Sequence, residues 1–264
     1  MKVEQLLETA IQASVKAGEE ILKVYNSSIH VELKDDKSPL TEADKKSHQA
    51  IVSFLNNTQI PILSEEGKSI DYHERKNWNL FWCVDPLDGT KEFIKRNGEF
   101  TVNIALISNG NPIAGVIYVP VKKTLYFSSE TIGAHKVTLS KEMRLELVDL
   151  VRVSQKLPSK KETDAYVVVA SRSHMSPETE EFVETLKKKH EKIEITSMGS
   201  SLKLCLVAEG KADVYPRFAP TMEWDTAAGQ AIAQGAGKKV INHTTGNPLD
   251  YNKENLLNNW FIVQ

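Results

Sequence analysis

The first 25 residues of the chain repeat apolar positions at intervals of three and four, with Glu, Gln and Lys between them. This spacing predicts an amphipathic helix whose apolar face packs against the rest of the protein. A polar segment that contains a proline follows at 34–39 and predicts a surface loop. A second helix is predicted to start near Thr41 and to run towards Leu55. The repeating positions of the first helix are Leu7, Ala10, Ile11, Ser14, Gly18, Ile21 and Tyr25.

Between Phe81 and about Val137, short apolar runs replace the helical spacing, and turn residues such as Asn109, Gly110 and Pro120 separate them. Such runs predict strands, and their close spacing favours an antiparallel or mixed sheet. The predicted strands cover 81–84, 102–107, 113–119 and 125–127.

Beyond residue 157 the pattern alternates between strands and helices, which favours a second sheet of the α/β type. The polar segment at 157–161 is the expected junction between two subdomains, at 1–157 and 158–264, which together form one compact catalytic unit. The elements predicted in the second half are a strand at 167–170, a helix from Pro177, a strand at 193–196, a helix from Ser201 and a strand at 212–215.

Composition and charge exclude several classes of protein. The chain has 264 residues, 41% hydrophobic and 26% charged, as in ordinary globular proteins. Its formal net charge of -2 provides no positive field for a nucleic-acid polymer. No apolar run approaches the ~20 residues of a membrane span, and no signal-peptide pattern opens the chain, so we expect a cytoplasmic protein. Cys83 and Cys205 lie in apolar runs and are expected to be reduced core residues.

The most informative segment is 82–90, WCVDPLDGT, where an apolar strand ends in two aspartates. The strand delivers Asp85, and the turn that follows presents Asp88. Gly89 allows the backbone to approach a ligand closely, and the next residues can begin a helix whose free N–H groups attract phosphate. The segment therefore suits a metal ion beside an anion, although Asp88 alone could equally be a helix N-cap.

Further acidic residues stand at other predicted element ends. Glu65 and Glu66 follow an apolar run that ends in a strand, and only one of the two can face a site below it. We choose Glu65 and treat Glu66 as its solvated or supporting neighbour. Asp225 lies at the start of a predicted helix, where it could also be an N-cap. If these carboxylates gather, they repel one another unless cations neutralise them, and hard oxygen ligands suit Mg²⁺.

Three motifs, in this order, resemble the inositol monophosphatase superfamily: EE at 65–66, DPLDGT at 85–90 and WDTAAG at 224–229. More narrowly, 91–101, KEFIKRNGEFT, resembles the CysQ branch of 3′(2′),5′-bisphosphate nucleotidases, which convert adenosine 3′,5′-bisphosphate to AMP. This resemblance implies an α+β fold, a layered α-β-α-β-α sandwich. The likeness covers nearly the whole chain, because it continues through 171–174, 199–203 and 215–218.

The resemblance also implies the roles of individual residues. Two or three Mg²⁺ ions are expected, with Asp44 and the Thr90 hydroxyl orienting and deprotonating the attacking water while Glu65 and Asp85 help to hold the metal that acidifies it. The segment 41–44, TEAD, fits a helix capping box as well. The implied metal ligands are Glu65, Asp85, the carbonyl of Leu87, Asp88 and Asp225. The implied substrate contacts are Glu65, Leu87, Asp88, Gly89, Thr90, His174, Ser200, Lys203, Arg217 and Asp225.

Two other functions stay open at this point. An inositol monophosphatase or a related sugar phosphatase would share the metal ligands but need fewer basic residues than Lys203 and Arg217. A non-catalytic sensor of nucleotide bisphosphates would be expected to lack Asp44 or Thr90, and both are present. The resemblance further implies a role in sulfate assimilation and inhibition by Li⁺ and Ca²⁺. The choice among nucleotide isomers, peripheral membrane association and the oligomeric state stay open.

Overall fold

The structure is a computed structural model that describes residues 1–27, 31–33, 39–159, 163–170 and 175–264. Three sequence predictions therefore fall, wholly or in part, outside the described residues. They are the loop at 34–39 apart from Pro39, the last two residues of the junction at 157–161, and the motif at 171–174 with His174.

The predicted helices are present, and the first two pack against each other. The repeating positions of the first helix are its buried face, since Leu7, Ile11 and Ile21 are fully buried. The second helix ends at Leu55, as predicted. The helices are α1 (Val3–Tyr25), α2 (Glu42–Leu55), α3 (Tyr72–Arg75), α4 (Thr90–Ile94), α5 (Leu147–Val153), α6 (Pro177–Lys187), α7 (Leu202–Glu209) and α8 (Glu223–Gly235), with a 3₁₀ turn at Asn56–Thr58.

The central strands form one large sheet in the order β3-β4-β5-β6-β7-β8-β9, antiparallel except for the parallel pair β3 and β4. The four predicted strands are confirmed and are longer than their apolar runs. The strands of the chain are β1 (Val31–Leu33), β2 (Pro39–Thr41), β3 (Ile62–Ser64), β4 (Leu80–Asp88), β5 (Thr101–Ser108), β6 (Asn111–Val119), β7 (Thr124–Ser129), β8 (Gly133–Thr138), β9 (Gln155–Lys156), β10 (Tyr166–Val169), β11 (Ile193–Thr196), β12 (Tyr215–Arg217), β13 (Val240–Asn242) and β14 (Phe261–Val263).

In the second half, one predicted strand is misplaced. Of the run at 212–215, Val214 forms a single bridge with Val168 and Tyr215 begins the strand, whereas the N–H of Ala212 still bonds the α7 carbonyl of Leu206. The strand proper is β12, which pairs with β14 from the end of the chain. The second half therefore has two small sheets where one was predicted: β10 and β11 form a parallel pair, and β12, β14 and β13 form an antiparallel sheet.

The elements stack as alternating layers, which confirms the predicted α+β class. Helices α1 and α2 cover one face of the large sheet, α7 and α8 cover the other, and α6 packs against β12. Along β4, Phe81 and Cys83 face the α8 side, whereas Trp82 and Val84 face α1 and α2, as the period of a strand requires. Both cysteines are free and buried, as expected.

Close packing brings the start of α8 to the sheet. A Cβ added at Gly115 of β6 would lie 2.7 Å from the carbonyl oxygen of Ala228 and 2.8 Å from the Cβ of Ala231. Glycine at 115 and small residues in α8 therefore set this helix against the strands. Within the described residues, no helix combines the length and apolarity needed to cross a membrane.

Candidate metal and phosphate site

The end of β4 is reshaped by a β-bulge. Asp85 pairs with Asn103 and Asp88 with Thr101, so that β4 has one more residue than β5 between these pairs. Bulges redirect side chains and are frequent beside active sites. The N–H of Leu87 donates to Asp85 Oδ1 at 3.0 Å, which fixes the carboxylate against its own turn.

Asp88 is held by the second half of the chain and does not cap a helix. The N–H of Ser201 donates to Asp88 Oδ2 at 2.5 Å, and the Asn103 side-chain amide donates to the same oxygen at 3.3 Å. The N-cap of α4 is Gly89, whose φ of +93° favours glycine. The N-cap interpretation of Asp88 is therefore wrong, because the position belongs to the next residue.

Asp44 caps a helix and also contacts Thr90. Its Oδ2 accepts hydrogen bonds from the N–H and the hydroxyl of Thr41, at 2.8 and 2.6 Å, and so caps α2. Its Oδ1 accepts a hydrogen bond of 3.3 Å from the Thr90 hydroxyl. One carboxylate thus stabilises a helix start with one oxygen and faces Thr90 with the other.

Asp225 repeats this arrangement at the start of α8. It stands at the third helical position, and its Oδ2 accepts the N–H of Met222 at 2.7 Å. The carboxylate is therefore part of the cap of α8, although Met222 and not Asp225 occupies the N-cap position.

Glu65 follows β3 and continues the parallel pairing, since its N–H donates to the carbonyl of Val84 at 3.1 Å. Its side chain shares a hydrogen bond with Asp85. Glu65 therefore contacts the carboxylate of Asp85, near the end of β4.

Burial and mutual repulsion change the titration of these carboxylates. Burial, followed by the nearby charges of Glu65, Asp88 and Asp225, raises the pKa of Asp85 well above its ordinary value. Burial also raises the pKa of Asp88, although Lys203 opposes the shift. For Asp225, burial and the charge of Asp88 raise the pKa to about 7. Cations are therefore needed to keep the whole set ionised near neutral pH.

The chemistry of the donors fits hydrated Mg²⁺. The predicted ligands are hard oxygens, with no thiolate or imidazole among them, which is the set that Mg²⁺ and Ca²⁺ prefer. Among the described residues, no three Asp, Glu, His or Cys side chains lie close enough together to hold a metal ion by themselves. Mg²⁺ usually keeps several waters and binds through one or two carboxylates together with substrate phosphates.

A cavity of about 180 Å³ adjoins these acids and brings together six of the predicted substrate contacts. Within it, the Ser200 hydroxyl and Arg217 Nε are buried without a hydrogen-bond partner in the described part of the chain. Burial lowers the pKa of Lys203. A phosphate in this cavity could accept hydrogen bonds from the Ser200 hydroxyl and Arg217 Nε. The six predicted residues are Asp88, Gly89, Ser200, Lys203, Arg217 and Asp225.

A second cavity, of about 220 Å³, shares Lys203 and Arg217 with the first and extends towards Met175 and Phe218. Glu65 lines a third cavity, beside Trp224. His174 lies outside the described residues.

Sequence reasoning missed a buried polar network behind Asp88. The Ser201 hydroxyl donates to Asn103 Oδ1 at 2.8 Å and lies 2.8 Å from the Thr101 hydroxyl. The available signal was Asn103 itself, a polar residue inside the apolar run of β5. A fully buried amide in a strand requires partners, and here they include the carboxylate of Asp88.

Comparison with known proteins shows which proteins the chain resembles along nearly its whole length. A model described as the inositol monophosphatase family matches residues 2–260. The chain is 44% identical over 263 residues to the 3′(2′),5′-bisphosphate nucleotidase CysQ of Salmonella typhimurium, covering 98% of this chain and 99% of that protein. It is 34% identical over 264 residues to the CysQ of Haemophilus influenzae, covering 98% and 93%.

Solved structures give the same grouping. The crystal structure of CysQ from Bacteroides thetaiotaomicron, described as a bacterial member of the inositol monophosphatase family, superposes with a TM-score of 0.89 and 56% identity. The match covers 99% of this chain and 97% of that one. The suhB protein of Bartonella henselae, at 24% identity and a TM-score of 0.74 over 98% and 93%, shares the fold.

Proposed function

Because the chain belongs to the inositol monophosphatase family, we propose that it is a Mg²⁺-dependent 3′(2′),5′-bisphosphate nucleotidase. Its proposed reaction is the hydrolysis of adenosine 3′,5′-bisphosphate to AMP and phosphate. The observation that carries this proposal is the cavity in which Asp88 and Asp225 stand beside the Ser200 hydroxyl and Arg217 Nε, donors with no hydrogen-bond partner among the described residues. The high-coverage likeness to CysQ nucleotidases supports the same substrate class.

In this proposal two or three Mg²⁺ ions are held by the five predicted ligands. Bound Mg²⁺ would supply positive charge to the reacting phosphate and acidify the attacking water. The protein contributes fixed orientation, since Leu87 N–H holds Asp85 and Ser201 N–H holds Asp88. The proposed ligands are Glu65, Asp85, the carbonyl oxygen of Leu87, Asp88 and Asp225.

Asp44 and Thr90 form the proposed proton path from the attacking water. The Thr90 hydroxyl already donates to Asp44 Oδ1, so the hydroxyl oxygen can accept from water while its own proton is directed to the carboxylate. Because Thr41 engages the other oxygen of Asp44, the carboxylate keeps its orientation. The N–H groups of Gly89 and Thr90 are proposed to bind oxygens of the phosphate that is cleaved.

The cationic side of the cavity is proposed to bind the second phosphate. Lys203 and Arg217 supply positive charge, and the Ser200 hydroxyl supplies a further donor. His174 joins this group through the family resemblance alone. A cytoplasmic location and a role in sulfate assimilation also belong to the proposal.

The alternative phosphatases and the sensor are less well supported. A sugar monophosphate offers no second phosphate to Lys203 and Arg217, which line the cavity. A sensor without turnover would not need the contact between Thr90 and Asp44.

Phosphate release from adenosine 3′,5′-bisphosphate and inositol 1-phosphate, measured side by side with Mg²⁺ and with EDTA, tests the proposal. We expect a strong preference for the nucleotide and loss of both activities in EDTA. Preference for inositol 1-phosphate would overturn the proposed substrate class, and full activity in EDTA would overturn the metal requirement.

A further inference from the structure

The loop at 199–201 is attached at both ends by carboxylates. Glu99 Oε2 accepts the N–H of Gly199 at 2.7 Å, and Asp88 Oδ2 accepts the N–H of Ser201 at 2.5 Å. Between these two attachments Ser200 has a φ of +48°, which is uncommon for a residue other than glycine. Its hydroxyl is buried and has no partner among the described residues.

Gly199 also packs closely against Glu92 and Glu99. A Cβ added at Gly199 would lie 2.8 Å from the carbonyl oxygen of Glu99, 2.9 Å from its Cβ and 2.7 Å from Cγ of Glu92. Any larger residue at 199 would therefore push the loop away. Glu99 is itself held, because its N–H donates to Asn97 Oδ1 at 2.9 Å.

The same loop also positions the ammonium group of Lys203. The Lys203 ammonium donates to the carbonyl of Ser200 at 3.1 Å. The position of residue 200 therefore determines where the Ser200 hydroxyl and the Lys203 ammonium lie in the cavity. Strained residues persist only when their surroundings hold them. The bonds to Gly199 and Ser201 are the contacts that hold residue 200.

We propose that Glu99 is a positioning residue for the second phosphate of the substrate: by binding the N–H of Gly199 it fixes the Ser200 hydroxyl and the Lys203 ammonium. This inference rests on the proposed nucleotidase function. Glu99 does not donate to the phosphate, and as an anion it would repel one. Its contribution lies in the loop that it holds.

Two variants should release the loop by different means. Glu99→Ala removes the acceptor, and Gly199→Ala introduces the steric conflict with Glu92 and Glu99. Each should raise KM for adenosine 3′,5′-bisphosphate by about 10-fold or more, the effect of one charge-assisted hydrogen bond, with kcat changed much less. Hydrolysis of adenosine 3′-monophosphate should be nearly unaffected, because this substrate lacks the second phosphate. Glu99→Gln keeps an acceptor and should restore most of the affinity.

The experiment compares wild type with these three variants and with Glu142→Ala, a control at an exposed position. For each protein it measures KM and kcat, the affinity for AMP by calorimetry, and the midpoint of thermal unfolding. The expected result is a matched loss of affinity for the bisphosphate and AMP in Glu99→Ala and Gly199→Ala, with rescue in Glu99→Gln. Unchanged KM and AMP affinity, or a loss confined to kcat and thermal stability, would overturn the inference. A wild type that does not prefer the bisphosphate would instead overturn the proposed function, and this inference with it.

Discussion

The two sides of the site satisfy their polar groups in opposite ways. On the anionic side, Asp44, Asp85, Asp88 and Asp225 each have an oxygen bonded to a backbone N–H, and burial raises the pKa values of Asp85, Asp88 and Asp225. On the cationic side, donors of Ser200 and Arg217 are buried without partners in the described residues, and burial lowers the pKa of Lys203.

This difference supports the proposed substrate. The anionic side is rigid but electrostatically strained, so that cations stabilise it. The cationic side has unused donors, so that an anion stabilises it. A metal-bound phosphate that carries a second phosphate complements both sides at once. Changes to one side should therefore alter chemistry, and changes to the other should alter substrate preference.

The largest effect is expected on the anionic side. Asp88→Asn should lower kcat/KM by about 10³-fold or more for every phosphate substrate, because metal binding and the electrostatic stabilisation that it provides are lost together. Calorimetric titration with Mg²⁺ should show weakened binding. Asp149→Asn, on the surface helix α5, is the control and should behave as wild type. Equal Mg²⁺ affinity in wild type and Asp88→Asn would contradict the ligand assignment.

A smaller effect separates the two roles of Asp44. Asp44→Asn should lower kcat by about 10²–10⁴-fold while Mg²⁺ and substrate still bind, because the proton acceptor is lost. Thr41→Ala removes the cap hydroxyl and should cost about 1 kcal/mol of stability with only a minor change in kcat. The comparison uses single-turnover kinetics and thermal unfolding. Near wild-type kcat in Asp44→Asn would show that the residue is only a cap.

On the cationic side, Arg217→Ala should change substrate preference. We expect KM for adenosine 3′,5′-bisphosphate to rise about 10- to 100-fold, as for the loss of a charged hydrogen bond, while KM for adenosine 3′-monophosphate changes little. Arg152→Ala, on exposed α5, is the matched control. Equal increases for the two substrates would argue against contact between Arg217 and the second phosphate.

The smallest effect concerns the metal-free protein. Because the pKa of Asp225 rises from 3.8 to about 7 on folding, the folded state binds more protons than the unfolded chain, and its stability falls as pH rises through that range. In EDTA, the thermal midpoint of wild type should decrease between about pH 5 and 7.5, and less so in Asp225→Asn. With Mg²⁺ present, the thermal midpoints of wild type and Asp225→Asn should depend on pH in the same way. Identical slopes in EDTA would contradict the raised pKa.

Local patterns were sufficient to predict much of this molecule. The helical spacing of α1 and the apolar runs of the central strands are set by side chains that share one core, so periodicity identifies them. The acids at the ends of β3 and β4 follow apolar runs directly. The prediction of β12 failed by a few residues because its pairing partner, β14, lies at the far end of the chain.

The sequence treated helix capping and function as alternatives for Asp44 and Asp225. The structure shows that both carboxylates take part in helix capping, and that Asp44 also faces Thr90, because its two oxygens can bind different groups. The contacts of Asp88 with Ser201 and of Glu99 with Gly199 could not be predicted, since each joins residues about a hundred positions apart. Local spacing carries no information on such contacts.

The most direct test of a two-sided site compares adenosine 3′,5′-bisphosphate with adenosine 3′-monophosphate, which differ only in the second phosphate. We predict that kcat/KM of the wild-type protein with Mg²⁺ is at least about 100-fold higher for the bisphosphate, because only this substrate engages the cationic side. Equal kcat/KM values for the two nucleotides would contradict the account.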